Sequence, residues 1–488
     1  MSMKKYILAV LLTGIGLTGF GQTDSIPDVK LWSLRECIDY ALANNLQVKQ
    51  SELNVEGYEV NLRQYKMNLL PTVNASTSYG YNWGRGLDPT TNQFVTSQRN
   101  TVGDAGAQAT VTLFNGMRIQ NTIKQGGRDV LASQQDLAKM RNDWSLNVTN
   151  YFINVVFNKE LVENAKSQLA SSQQQLERTK KQVAAGALSR SEELNLEAQV
   201  ATNEVNLVNQ TNSLTLSLLT LKQALQITAS APFDIDVPQL DPEDLMMDHS
   251  RDEVYAMARE IMPEIKASRL KVESSYYAIK SARGNLYPRL SLTGSINSTY
   301  SQSAETRFIP DGGFSLGQAP VGRAGTSPDA AALNVYSISP TGAYQDSYKF
   351  DQQFKDNVYK TIRLQLTIPI FNNYTARATL QRNMVTNEQA KISALLAENT
   401  LRQNIETSFN DALAASKSYE SSLKQVAARD EAFRMTKQRY DIGAVSYVDY
   451  QIAENNLFQA KSDLARAKYN FIFRKKLLDF YQGKPIEL

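Results

Sequence analysis

The sequence predicts a mainly α-helical protein with a membrane β part, built from two internal structural repeats. Three observations carry that prediction. The chain is written twice, each copy holds a helical stretch too long for a globular domain, and each copy carries short runs of alternating polarity before that stretch.

The first element is a leader. Lys4 and Lys5 precede an apolar run, Tyr6 to Leu17, and then a small-residue stretch reaching Gly21. That order predicts a signal peptide over residues 1–21 rather than a buried N-terminal helix. No Cys follows the apolar run directly, so no lipid-modified mature N-terminus is expected. Beyond residue 22 no uninterrupted apolar run approaches the ~20 residues of a membrane helix, so any membrane crossing falls to β-strands. The mean hydropathy of -0.38 is no objection, because barrel strands hide their lipid face in alternate residues.

Composition removes several function classes. One Cys (Cys37) and one His (His249) exclude an intrachain disulfide, a CxxC redox site, a Cys/His zinc site and a Ser-His or Cys-His catalytic pair. The 52 Lys+Arg nearly cancel the 49 Asp+Glu, and a net charge of +3 without a dense basic run leaves no footprint for nucleic acid. Gly312 and Gly313 lack the strand-to-helix context of a phosphate loop. No enzyme, metal or cofactor is expected.

The repeat is legible in matched segments. Leu70-Pro71-Thr72-Val73 has its counterpart 217 residues later in Tyr287-Pro288-Arg289-Leu290. Leu113-Phe114-Asn115 matches Ile370-Phe371-Asn372, and Gly186 matches Gly443, both at 257 residues. The offset grows only between the strands, and loops absorb insertions. The mature chain therefore divides into a first repeat (22–227), a linker or equatorial segment (228–250), a second repeat (251–482) and a tail (483–488). Each repeat reads as helix, strand, loop, strand, very long helix, tight turn and helix. The strands are expected near 72–83, 104–114, 289–300 and 359–371, with an outer loop at 301–357. The long helices are expected near 116–185 and 372–442, the turns at 186–189 and 443–446, and the return helices near 188–227 and 447–482.

Arg128 to Ala185 and Asn372 to Ile442 contain no Gly or Pro. Helices of that length span on the order of 100 Å. Val148, Val155, Val162, Leu169, Leu176 and Val183 keep heptad spacing, as do Ile405, Ala412, Tyr419, Val426, Phe433 and Tyr440. The other seam position of the first series holds Tyr151, Asn158, Ala165, Ser172 and Thr179. Small and polar residues there suit packing against several helices better than a two-stranded zipper.

The strands decide against a plain coiled-coil rod. Val73, Ala75, Thr77, Tyr79, Tyr81 and Trp83 alternate with Asn74, Ser76, Ser78, Gly80 and Asn82. Ile362, Leu364, Leu366, Ile368 and Ile370 alternate with Thr361, Arg363, Gln365, Thr367 and Pro369. Such runs have the length of tilted membrane strands, although a soluble sandwich would alternate alike. Four strands cannot close a membrane barrel, and an open edge in lipid leaves backbone groups unpaired. Other copies must complete it. Two copies supply eight strands, whose interior holds only side chains; a conducting pore favours three copies and twelve strands.

From Leu34 to about Tyr481 the sequence resembles the TolC-like outer-membrane efflux protein family. The resemblance rests on Leu34-Arg35-Glu36-Cys37, the Leu70-Pro71 and Tyr287-Pro288 junctions, and the strand ends Leu113-Phe114-Asn115-Gly116 and Ile370-Phe371-Asn372-Asn373. It also rests on the turns around Gly186 and Gly443. Similarity to that family implies a TolC-like homotrimer in the cell outer membrane: a 12-stranded β-barrel, four strands per chain, continuous with a long α-helical coiled-coil periplasmic barrel. It further implies partnership with a periplasmic adaptor (membrane fusion) protein and an inner-membrane pump, besides outer-membrane lipid. The adaptor-contacting tips would be Gly186, Ala187, Leu188 and Ser189 with Gly443, Ala444, Val445 and Ser446. As turn chemistry, Gly186 and Gly443 suit left-handed C-caps, with Ser189 and Ser446 as N-caps of the return helices.

The resemblance also implies a periplasmic gate. Asp449 falls on the first of two acidic positions, and Tyr440 and Glu192 fall on a tethering pair. Ile452 occupies the second acidic position and Val445 a tethering Arg position, so closure should rest more on apolar contact. A solvated, dipole-favoured carboxylate at a helix start is the plainer reading of Asp449. The insertion at 301–357 should face outside the cell, by default as a flexible loop. The expected function is the passive exit duct of a tripartite efflux system for small molecules. A duct for type I protein secretion and an exported coiled-coil rod are the alternatives.

Overall fold

Short capping residues, long Gly-poor stretches and Pro-marked junctions divide the chain as physical chemistry requires. In the computed structural model, residues 30–87, 90, 94–95, 99–238, 249–304, 307–323, 332–345 and 348–486 are described. The signal peptide expected at 1–21 lies outside the described residues. The first repeat runs through β1 (Leu31–Trp32), α1 (Leu34–Asn44), α2 (Leu46–Met67), β2 (Thr72–Asn82), β3 (Gly86–Leu87), β4 (Phe94–Val95), β5 (Asn100–Phe114), α3 (Arg118–Ala184) and α4 (Arg190–Ala224). A short β6 (Asp234–Ile235) pairs in parallel with β1. The second repeat runs through α5 (Arg251–Ile261), α6 (Pro263–Gly284), β7 (Arg289–Ser301), β8 (Arg307–Arg323), β9 (Ala332–Gln345), α7 (Phe350–Asp356), β10 (Tyr359–Thr367), α8 (Thr375–Asp441) and α9 (Tyr447–Tyr481).

Corresponding helices have equal lengths: 11 residues in α1 and α5, 22 in α2 and α6, 67 in α3 and α8, and 35 in α4 and α9. Their starts correspond too. Ser33 with Glu36, and Ser250 with Glu253, form capping boxes that satisfy orphan N–H groups at α1 and α5. The long helices α3 and α8 each follow two left-handed residues, Gly116 and Met117 or Asn373 and Tyr374. Among the described residues no helix is long and apolar enough to cross a membrane.

The strands form one antiparallel sheet in the order β10-β7-β5-β2. Its register merges four separate alternations into two faces. Val73 lies opposite Ala109, Val111 opposite Leu292, and Leu292 opposite Leu364. Asn74, Gln108, Ser295 and Thr361 share the other face. Strand ends differ from expectation in two places. β5 starts at Asn100 rather than 104, and β10 stops at Thr367 rather than 371, just before Pro369, which has no N–H for a ladder.

The described residues of the insertion form regular elements where a flexible loop was the default. β8 and β9 form an antiparallel hairpin, and α7 is fastened to the end of β7. There the buried Gln353 amide donates to the Ser301 and Tyr348 carbonyls and accepts from the Ser301 N–H. A side chain that replaces three backbone partners holds a loop end as a ladder would.

The main core lies where the two repeats meet, around Cys37, Val148, Phe152, Val155, Leu221, Leu225 and Ile235. Burial there pushes the Cys37 thiol up to about 12, so it stays an inert apolar side chain. Lys222 is buried beside this core, its Nζ donating to the Ala229 and Ala231 carbonyls and fixing the turn after α4.

Candidate channel gate and docking tips

The far ends of the long helices are two matching turns. Gly186 (φ 76°) and Gly443 (φ 74°) are left-handed, as C-cap glycines should be. The Ala187 N–H donates to the Gln182 carbonyl and the Gly186 N–H to Val183; Ala444 and Gly443 repeat this toward Arg439 and Tyr440. Both turns are therefore Schellman motifs, which close the last orphan carbonyls of α3 and α8. Gly186, Ala187, Ser189, Gly443, Ala444 and Ser446 are exposed at the tips, with Leu188 and Val445 half-buried.

The two return helices start differently. Ser446 and Asp449 make a full capping box at α9: the Ser446 hydroxyl donates to Asp449 Oδ2 at 2.8 Å and accepts from the Asp449 N–H at 3.2 Å. Ser189 occupies the N-cap position of α4 but its side chain makes no cap hydrogen bond, which departs from the equivalence expected of the two serines. Position three of α4 holds Glu192, whose carboxylate could have closed a similar box; among the described residues it does not. Asp449 is exposed, and Ile452 is exposed one turn further on.

Tyr440 sits inside an aromatic cluster with Phe433, Tyr447 and Tyr450, against Leu176 and Leu196. Its ring centroid lies 5.0 Å from that of Tyr450 and 6.2 Å from that of Tyr447. Burial raises the Tyr440 pKa, Gln175 and Thr179 counter the rise, and the Glu192 and Asp441 charges add to it. The structure thus brings Tyr440 and Glu192 into electrostatic range. Among the described residues no hydrogen bond joins them, so the expected tether is not formed here.

Besides that cluster, hydrogen bonds that the sequence did not single out join the hairpins. Ser171 of α3 donates to Glu454 of α9 at 2.6 Å, and Gln168 donates to Asn455 at 3.2 Å. Gln451 donates to Gln199, which donates to Asn203, which donates to Ser172 at 3.0 Å. Glu454 is buried, and desolvation raises its pKa against the opposing pull of Ser171, Tyr450 and Lys437. Glu193 on α4 is buried as well and pairs with Arg190. Polar residues at heptad seam positions such as Ser172 were the available signal. A lone Glu on a polar helix gave none.

A membrane-length sheet with an apolar and a polar face, joined to helical hairpins on the order of 100 Å long, defines a class: the subunit of an outer-membrane duct. The chain belongs to the outer membrane efflux protein family, whose model matches residues 37–225 and 254–475. It is 21% identical over 467 residues to the outer membrane efflux protein BepC of Brucella suis, covering 95% of this chain and 86% of that one. It is likewise 21% identical to the outer membrane protein TolC of Escherichia coli, covering 97% and 85%. Among solved structures, the Campylobacter jejuni CmeC outer membrane channel superposes with a TM-score of 0.68 at 16% identity, covering 98% of this chain and 95% of that chain. The Vibrio cholerae outer membrane protein VceC gives 0.68 at 14% identity, covering 93% and 97%. The protein is an outer-membrane efflux component of TolC-like fold.

Proposed function

We propose that three copies of this chain close into a passive exit duct, through which an inner-membrane pump and a periplasmic adaptor discharge small molecules. The observation that carries this reading is a pair of open edges that coincide in both layers. In the sheet the order is β2, β5, β7, β10; in the helices below it α2 packs on α3, α3 on α6 and α6 on α8. The edge elements of both rows are the same ends of the repeat.

Both edge helices carry apolar seams that no described residue covers. On α2, Leu46, Leu53, Val60 and Met67 keep strict heptad spacing and are 70%, 56%, 53% and 54% exposed. On α8, Val385, Ile392 and Leu396 are exposed on one face, and on α4 so are Leu194, Val205, Val208 and Leu216. Two different edges that complement each other make a head-to-tail contact, which closes into a ring when the rotation allows. Three copies give twelve strands and room for a pore.

In this reading the turns at Gly186, Ala187, Leu188 and Ser189 and at Gly443, Ala444, Val445 and Ser446 meet the adaptor. Asp449, Tyr440, Glu192 and Ile452 line the constriction between the hairpins. Nothing in the duct needs catalysis. The test is a deletion strain scored for sensitivity to dyes and detergents, for loss of secreted proteins, and for complementation by the cloned chain. Sensitivity with normal secretion supports small-molecule efflux, whereas lost secretion with unchanged sensitivity overturns it in favour of a protein duct.

A further inference from the structure

The outer ends of the two open sheet edges carry cations that a conduit does not use. On the apolar face of β2, Tyr79, Tyr81 and Trp83 form a ladder with ring centroids 6.3 and 6.1 Å apart. The Arg99 guanidinium lies 4.8 Å from the Tyr81 centroid, and that of Arg85 lies 4.9 Å from Phe94 in the β3–β4 hairpin. All six side chains are exposed. On the other open edge, Lys360 is exposed and shares the apolar face with Ile362 and Leu364, since its register partner is Ile296. β2 ends and β10 begins at the rim remote from the helices, so both cation sets lie at the same outer level.

An aromatic ladder at a barrel rim sits at headgroup depth, where its amphipathic rings are best solvated. Cations on the lipid-side face are tolerated only near that depth. A guanidinium placed over an aromatic ring still presents a fork of N–H donors that matches phosphate oxygens. Among the described residues of the four strands, the single carboxylate, Asp104, lies on the opposite face, opposite Ser78 and Thr299.

We propose that Arg85 and Arg99 of one copy, with Lys360 of the next, bind the phosphate groups of the anionic glycolipid of the outer leaflet, across the subunit seam. This rests on the ring closure proposed above, because only closure brings β10 of one copy to β2 of the next. Arginine supplies directed hydrogen bonds, and Lys360 a point charge that completes the site only after assembly. The lipid would then act as a clamp on the joint between copies.

The test compares wild type with an R85Q/R99Q/K360Q variant in vesicles of phosphatidylcholine, of phosphatidylglycerol, and of phosphatidylcholine containing lipopolysaccharide. The readouts are trimer melting and glycolipid phosphate retained through detergent exchange. Wild type should retain glycolipid and melt higher with lipopolysaccharide, while the variant stays trimeric and loses both. Equal retention by the variant overturns the site, as does an equal gain in melting from phosphatidylglycerol or from inorganic phosphate alone. Single R85Q and R99Q variants give the same reading should the triple variant fail to assemble. A wild-type chain that is monomeric in every lipid overturns the ring instead.

Discussion

Ser171 on α3 donates to Glu454 Oε1 on α9 at 2.6 Å, so the two helical hairpins are tied through a carboxyl group that is buried. The same oxygen accepts from Tyr450 at 3.4 Å, and burial still holds the pKa of Glu454 above its ordinary 4.5. A native carboxyl with a raised pKa takes its proton before the unfolded chain does. Its destabilising effect is therefore absent below about pH 4.5 and grows as pH rises through the raised value. Glu454→Gln should gain more melting temperature relative to wild type at pH 7 than at pH 5. Glu36, held down to about 2 by the Ser33 cap and Lys30, titrates in the opposite sense, but it is common to both proteins. Paired thermal melts at the two pH values check this, and a pH-independent difference would contradict it.

Asp449 has two roles to separate, since it closes the Ser446 capping box and faces solvent at the proposed constriction. Ser446→Ala removes the cap without touching charge and should cost about 1 kcal/mol. Asp449→Asn removes charge as well. Planar bilayer recordings should show reduced cation preference for Asp449→Asn and unchanged preference for Ser446→Ala. Loss of preference in both variants would assign Asp449 to the cap alone.

Tyr440 is held by ring contacts and by neighbouring polar side chains, with the Glu192 charge acting only across space. Combining Tyr440→Phe with Glu192→Gln should loosen the hairpin tips and raise single-channel conductance. Closed-level currents indistinguishable from wild type would remove both residues from the gate.

The repeat, the long helices and the alternating faces of β2 and β10 were legible because period and spacing are properties of sequence alone. The strand order and register were not, since the pairing of Leu292 with both Val111 and Leu364 spans distant segments. The tips divide in the same way. Gly186 and Gly443 announce their turns, because a left-handed C-cap selects glycine. Ser189 and Ser446 look alike in sequence, each followed three residues later by a carboxylate, yet only Ser446 and Asp449 form a capping box. The hairpin inside 301–357 was hidden by its Gly and Pro content, and Gln353 gave no local sign that it would fasten α7 to β7.

The exposed seam on α2 predicts where assembly fails. Leu53 and Val60 lie one heptad apart, both more than half exposed. Burying such side chains is worth about 1.5–3 kcal/mol each, and placing a carboxylate there removes that gain and adds a desolvation cost. Leu53→Glu with Val60→Glu should leave helical circular dichroism intact while shifting the protein from the proposed trimer to monomer by light scattering in detergent. A stable trimer would move the subunit joint away from α2.

Where the sheet meets the helices, Gly116 and Gly284 approach so closely that neither leaves room for a side chain. A Cβ on Gly284 would lie 2.9 Å from the Arg118 Cβ and 3.0 Å from the Gly116 carbonyl oxygen. Gly284 ends α6 and Gly116 precedes α3, so this contact sets how the second helix row leaves the membrane. Backbone cannot swing aside as a flexible side-chain tip can, and Gly284→Ala should cost about 1–3 kcal/mol despite alanine's better helix propensity. Gly127, within α3, meets nothing within 4 Å of an added Cβ. There only the propensity difference acts, and Gly127→Ala should gain up to about 1 kcal/mol. Melting temperatures moving in opposite directions would check the pair. A neutral Gly284→Ala would mean that the crossing of α6 over the start of α3 is looser than its geometry.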